Sequence, residues 1–81
     1  MNIINGFLTI PGQIQIDLNL GAPGITETDY GYLIQLPDMR TEIALRKISE
    51  GYTGELTSKG MGASILFDVS DIKEFLSVLK N

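Results

Sequence analysis

Hydroxyls, carboxylates, amines and phenols are the reactive side chains of this 81-residue chain, which has neither histidine nor cysteine. Without histidine it lacks the usual general base, proton shuttle and transition-metal ligand. Ser-His-Asp and Cys-His arrangements cannot be built, nor can a zinc site of the ordinary ligand set. A Ser–Lys dyad is available in composition at Ser58-Lys59. Neighbours on a strand point to opposite faces, however, so that pair reads as unconnected. The sequence predicts no catalytic residues, no metal site and no cofactor, and the chain reads as a non-enzyme.

Two carboxylate pairs stand close in sequence, Glu27/Asp29 and Asp68/Asp71. The second suits a helix start, where the macrodipole favours anions. The first lies in a Thr-rich loop with too few ligands for a hard cation such as Ca²⁺. Gly60-Met61-Gly62 differs from a phosphate-cradling loop, because Lys59 precedes the glycines and a strand follows them. It reads as a hinge or bulge. Tyr30 and Tyr32 are spaced to project from one sheet face, as a stacking platform, an interface anchor or a half-buried pair.

Charge divides the chain. Residues 1–39 carry Asp17, Glu27, Asp29 and Asp38 and no Lys or Arg, whereas residues 40–81 carry six acids and six bases. The net charge is −4. An acidic half disfavours broad contact with phosphate backbones and suits a basic protein surface or plain solubility. Arg40, Arg46, Lys47 and Lys59 gather in the middle of the chain. There is no run long enough to span a membrane and no signal-peptide pattern, so a soluble cytoplasmic protein is expected.

The elements that must position these residues are mostly strands. Gln13 to Leu20 alternates polar residues with Ile14, Ile16, Leu18 and Leu20, which predicts a strand with four aliphatics on one face. Asn2–Ile10 reads as the strand before it, with Gly6 as a bulge and Pro11-Gly12 as the turn. A loop is expected from Gly21 through Asp29. Tyr30–Leu36 then reads as a strand with Tyr30, Tyr32, Ile34 and Leu36 on one face. Thr41–Ser49 reads as a strand by the meander of its neighbours, against a helix capped by Asp38 and ended by Gly51. Tyr52-Thr53-Gly54 reads as a turn, Glu55–Lys59 as a short strand and Ala63–Phe67 as the last strand. Asp68 is the expected cap of a C-terminal helix over 69–80, with Ile72, Phe75, Leu76 and Leu79 as its apolar stripe. The fold class is α+β: a single domain over 1–81 comprising a hairpin (2–20), strands (30–67) and the helix. Its antiparallel sheet of five to six short strands has the one helix packed on it. A core this small favours a homo-oligomer.

From Tyr32 onward the order of elements resembles the positive-cofactor-type transcriptional coactivator and bacterial single-stranded-DNA-binding family. The residues that carry the likeness are I-A-L-R-K-I (Ile43–Ile48), S-K-G (Ser58–Gly60) and the passage S-I-L-F-D-V-S-D-I-K-E-F-L. The resemblance implies a curved antiparallel sheet, one C-terminal helix, a dimer and nucleic-acid binding, with Arg46, Lys47 and Lys59 as phosphate contacts. The family's sheet is basic and bears aromatics, whereas this chain is acidic, and Met61-Gly62-Ala63 lengthens the connection to the last strand.

The expected function is therefore a non-catalytic binding protein that acts through a protein surface. Asp17, Glu27, Asp29, Tyr30, Tyr32 and Asp38 are the expected contacts with a basic partner. Inhibitors from phages or mobile elements that occupy a basic nucleic-acid-handling host protein are of this kind. The alternatives are a single-stranded nucleic-acid-binding dimer and a small structural subunit.

Overall fold

The computed structural model describes residues 2–4, 7–10, 14–60 and 62–80. Its strands are β1 (Asn2–Ile4), β2 (Phe7–Ile10), β3 (Ile14–Asp17), β4 (Gly24–Glu27), β5 (Gly31–Gln35), β6 (Thr41–Lys47), β7 (Tyr52–Ser58) and β8 (Ile65–Val69). A 3-10 turn spans Leu18–Leu20, and the helix α1 spans Ile72–Lys80. The fold is α+β, as the pattern predicts. The strands form two antiparallel meanders, β1-β2-β3 and β4-β5-β6-β7-β8. No helix among the described residues is long and apolar enough to cross a membrane.

Alternation dictates the core. On β6, Ile43 and Leu45 are buried while Glu42, Ala44 and Arg46 are exposed. Register carries the same face across the sheet, pairing Ile34 with Ile43, Ile43 with Leu56, and Gly54 with Phe67. The helix closes this face with Phe75 and Leu79, 0% and 1% exposed. The Phe75 ring lies 6.1 Å from that of Phe67. Ile16 of β3 belongs to the same buried cluster and ties the smaller sheet to the larger. Each such side chain contributes on the order of 1.5–3 kcal/mol through its burial.

Several elements differ from the sequence expectation, each for a local reason. The expected strand over 13–20 ends at Asp17, whose carboxylate accepts a hydrogen bond from Asn19 N–H at 2.9 Å and caps the 3-10 turn. Side-chain to backbone bonding of this kind competes with the ladder. Leu20 accordingly leaves the core face and is 58% exposed. The first strand is two, β1 and β2, with Ile4 opposite Phe7. The bulge expected at Gly6 and the turn expected at Pro11-Gly12 lie outside the described residues, as does Met61. Ile25, expected in a loop, lies on β4 and pairs with Ile34.

Tyr52-Thr53-Gly54 is not a turn but the start of β7. The reversal comes at 49–51, where Gly51 adopts φ +90° and Ile48 N–H donates to Gly51 O at 3.0 Å. Gly54 serves space rather than chain reversal: a Cβ there would come within 2.5 Å of the Phe67 ring. Asp68, expected to cap the helix, sits in β8 opposite Thr53. Asp71 is the cap, its carboxylate accepting from Glu74 N–H at 3.1 Å. Both aspartates precede the apolar stripe, and strand pairing through Val69 decides between them.

Candidate functional site

The β4–β5 turn builds the site. Thr28 Oγ1 accepts from Tyr30 N–H at 3.3 Å and Gly31 N–H at 3.0 Å, and Thr28 N–H donates to Gly31 O at 2.9 Å. Lys47 N–H adds a 2.8 Å bond to Tyr30 O. A Cβ at residue 31 would lie 2.1 Å from Leu45 O, so only glycine lets the turn approach β6 this closely. The backbone of Tyr30 is thus held on both sides while its side chain remains 68% exposed.

Two aromatic arrangements result. The Arg46 guanidinium lies over the Tyr30 ring, 5.4 Å from its centre. Tyr32 is half-buried and packs on Tyr52, with ring centres 6.0 Å apart at 46°. Tyr30 lies outside β5, so Tyr30 and Tyr32 do not share the single sheet face expected of them. They do line one shallow cleft of about 190 Å³, together with Glu27, Asp29, Lys47 and Tyr52. Cation–π pairing at an exposed site contributes about 0.5–1 kcal/mol, enough to bias two flexible side chains toward one geometry.

Of the expected protein contacts, Glu27, Asp29, Tyr30 and Tyr32 come together here. Asp17 belongs to the smaller sheet and caps its own turn. Asp38 lies beyond the opposite end of β5, where its carboxylate accepts from Thr41 Oγ1 at 2.6 Å and from the N–H groups of Arg40 and Thr41 at 2.9 Å each. These bonds, the Thr41 hydroxyl foremost, hold its pKa below the ordinary carboxylate value. Asp17 and Asp38 are turn-formers as placed.

The three expected phosphate contacts do not form one patch. Arg46 and Lys47 are adjacent on β6 and point to opposite faces. Lys59 lies at the far end of that strand, beside Arg40, whose carbonyl accepts its N–H at 2.9 Å. Seven strand residues span roughly 20 Å. The segments that carry the family resemblance lie on β6, at the end of β7 and on β8 with α1.

Tyr52 completes the cleft and is the residue that the turn assignment concealed. Its signal is the period-two run Tyr52, Gly54, Leu56, which shares a face with Leu45 and Ile43. Among the described residues no group of three or more His, Cys, Asp or Glu is placed to hold a metal ion. Compared with family models, curated proteins and solved structures, the chain matches none.

Proposed function

We propose that this chain is a non-catalytic binding protein that docks on a basic protein surface through the tyrosine end of its larger sheet. The observation that carries this reading is Tyr30, exposed yet fixed in its turn, with Arg46 over its ring and Glu27 and Asp29 beside it. Tyr and Arg are enriched among residues that dominate interfaces, because they bring large contact area with little rotamer loss. Glu27 and Asp29 are matched at the site by Arg46 and Lys47, so steering toward a positive partner comes from the net charge of −4. A nucleic-acid-handling host protein with a positive groove is the partner class that best fits this charge, in the manner of a phage or mobile-element inhibitor.

Self-association belongs to the same reading. Among the described residues β8 ends the larger sheet with β7 as its one neighbour, and its Leu66 is 70% exposed. An unprotected edge of this kind invites pairing with a second copy.

The test compares the wild type with Tyr30→Ala and with the Glu27→Lys/Asp29→Lys pair. Each is assayed against the protein captured by the wild type and against a single-stranded oligonucleotide. Capture that is lost in both variants, with no oligonucleotide binding at physiological salt, is the expected result. Oligonucleotide binding by the wild type that strengthens on charge reversal would instead favour the nucleic-acid reading.

A further inference from the structure

A second cleft, of about 530 Å³, opens at the other end of β6, beyond the Thr41–Ser58 pair. Its cations are Arg40 and Lys59, brought side by side by the backbone bond between them. Neither makes a close ion pair among the described residues, although the Asp38 carboxylate is near enough to Arg40 for their charges to interact. The nearby Asp38 carboxylate is engaged by Thr41 Oγ1 and by the N–H groups of Arg40 and Thr41. The Thr41 hydroxyl lies 3.2 Å from Ser58 Oγ, which lines the cleft with Thr57.

Part of the remaining wall is apolar. Buried Leu36 lines the cleft from the core side, and Met39 stands beside it, 84% exposed. Met39 is the one non-glycine residue with positive φ among those described, at +62°, and its N–H donates to Leu36 O at 3.2 Å. The turn therefore holds a thioether at the cleft mouth in a conformation that L-residues seldom adopt. Paired cations, hydroxyls and an apolar wall in one concavity of this size are the ingredients of a small-molecule site.

We propose that this cleft binds a small organic carboxylate, its head on Arg40 and Lys59 and its apolar stem against Leu36 and Met39. Glu42 contributes to the charge. It also lines the cleft, its carboxylate accepting from Gln35 Nε2 at 3.2 Å. The two cations stand against two carboxylates, Glu42 and the ionised Asp38 that interacts with Arg40, so the cleft has no surplus positive charge and suits a monoanion better than a dianionic phosphate. This site is separate from the tyrosine end and does not depend on its function.

Titration with hexanoate, followed by amide chemical shifts, tests the proposal, with hexanol and inorganic phosphate as companion titrants. Hexanoate should shift the amides of residues 39–42 and 57–59 saturably, while hexanol and phosphate should not. Arg40→Gln with Lys59→Gln should weaken hexanoate binding by about tenfold or more, since charge-assisted bonds carry the head group. The amides of residues 28–32 report that this variant is still folded. Glu42→Gln should act in the opposite direction and tighten binding by about threefold. The proposal is overturned if hexanoate gives no saturable shift or if hexanol or phosphate binds equally well. Indifference to the Arg40/Lys59 pair, or weakening in Glu42→Gln, overturns it too.

Discussion

The Arg46 guanidinium and the Tyr30 ring meet 5.4 Å apart although the two residues come from different elements. Strand pairing makes the contact: Arg46 lies opposite Gly31, one residue beyond the tyrosine. Tyr30 is thereby oriented without being buried, a state that favours contact with a partner over contribution to the fold. Tyr30→Ala should shift unfolding free energy by no more than about 1 kcal/mol, the worth of its exposed cation–π contact. Against the bound partner it should mainly speed dissociation, because it removes a contact made after docking. Reversal of Glu27 and Asp29 to Lys should mainly slow association and reduce its salt dependence. Surface plasmon resonance at two ionic strengths separates the two effects.

Gly54 and Phe67 give a sharper test of the fold. The ring occupies the space that a side chain at residue 54 would need. Gly54→Ala should cost about 1–3 kcal/mol through overpacking, measured as a lower denaturation midpoint. Phe67→Leu in the same chain should recover part of that loss, since a smaller side chain there relieves the clash.

The same pair shows why the sequence is only partly legible. A period-two run discloses β5 because its inward positions Tyr32 and Ile34 are large and apolar, whereas β6 is read as a strand only from the meander of its neighbours. On β7 the inward run is Tyr52, Gly54, Leu56, and a glycine inside a run reads as a turn until the residue opposite it is known. The 3-10 turn after β3 was hidden for a related reason. Leu18 and Leu20 continue the strand pattern, but one carboxylate-to-amide bond from Asp17 bends the backbone first. Glu27, Asp29, Tyr30 and Tyr32 of the candidate site can be named from sequence, and Tyr52 cannot. Their grouping cannot, because it arises from register across four strands, β4 to β7.

The helix stripe is graded rather than uniform. Phe75 and Leu79 are buried, whereas Ile72, Leu76 and Val78 are half-buried at its flanks. Leu79→Ala should cost about 2–5 kcal/mol, as truncation of a buried leucine does. Leu76→Ala should cost less, because part of its side chain stays in water in the folded state. Urea denaturation of the two variants ranks them. Equal losses would mean that the helix is seated differently.

Asp38 predicts the acid response of the β5–β6 turn. Its native pKa lies below its ordinary value, chiefly through the Thr41 hydroxyl and the Arg40 N–H. The folded state therefore holds this proton more weakly than the unfolded chain does. The stabilisation is complete above the ordinary carboxylate value of 3.8 and is lost as pH falls through the lower native value. Asp38→Ala removes the acceptor from two N–H groups and one hydroxyl, and should cost about 1 kcal/mol at neutral pH. Asp38→Asn keeps an acceptor without the charge and should cost less. The wild-type advantage over Asp38→Ala, followed by thermal unfolding, should shrink on acidification below pH 3.8. An advantage that held constant into strong acid would show that the bonds at Asp38 do not require its ionised form.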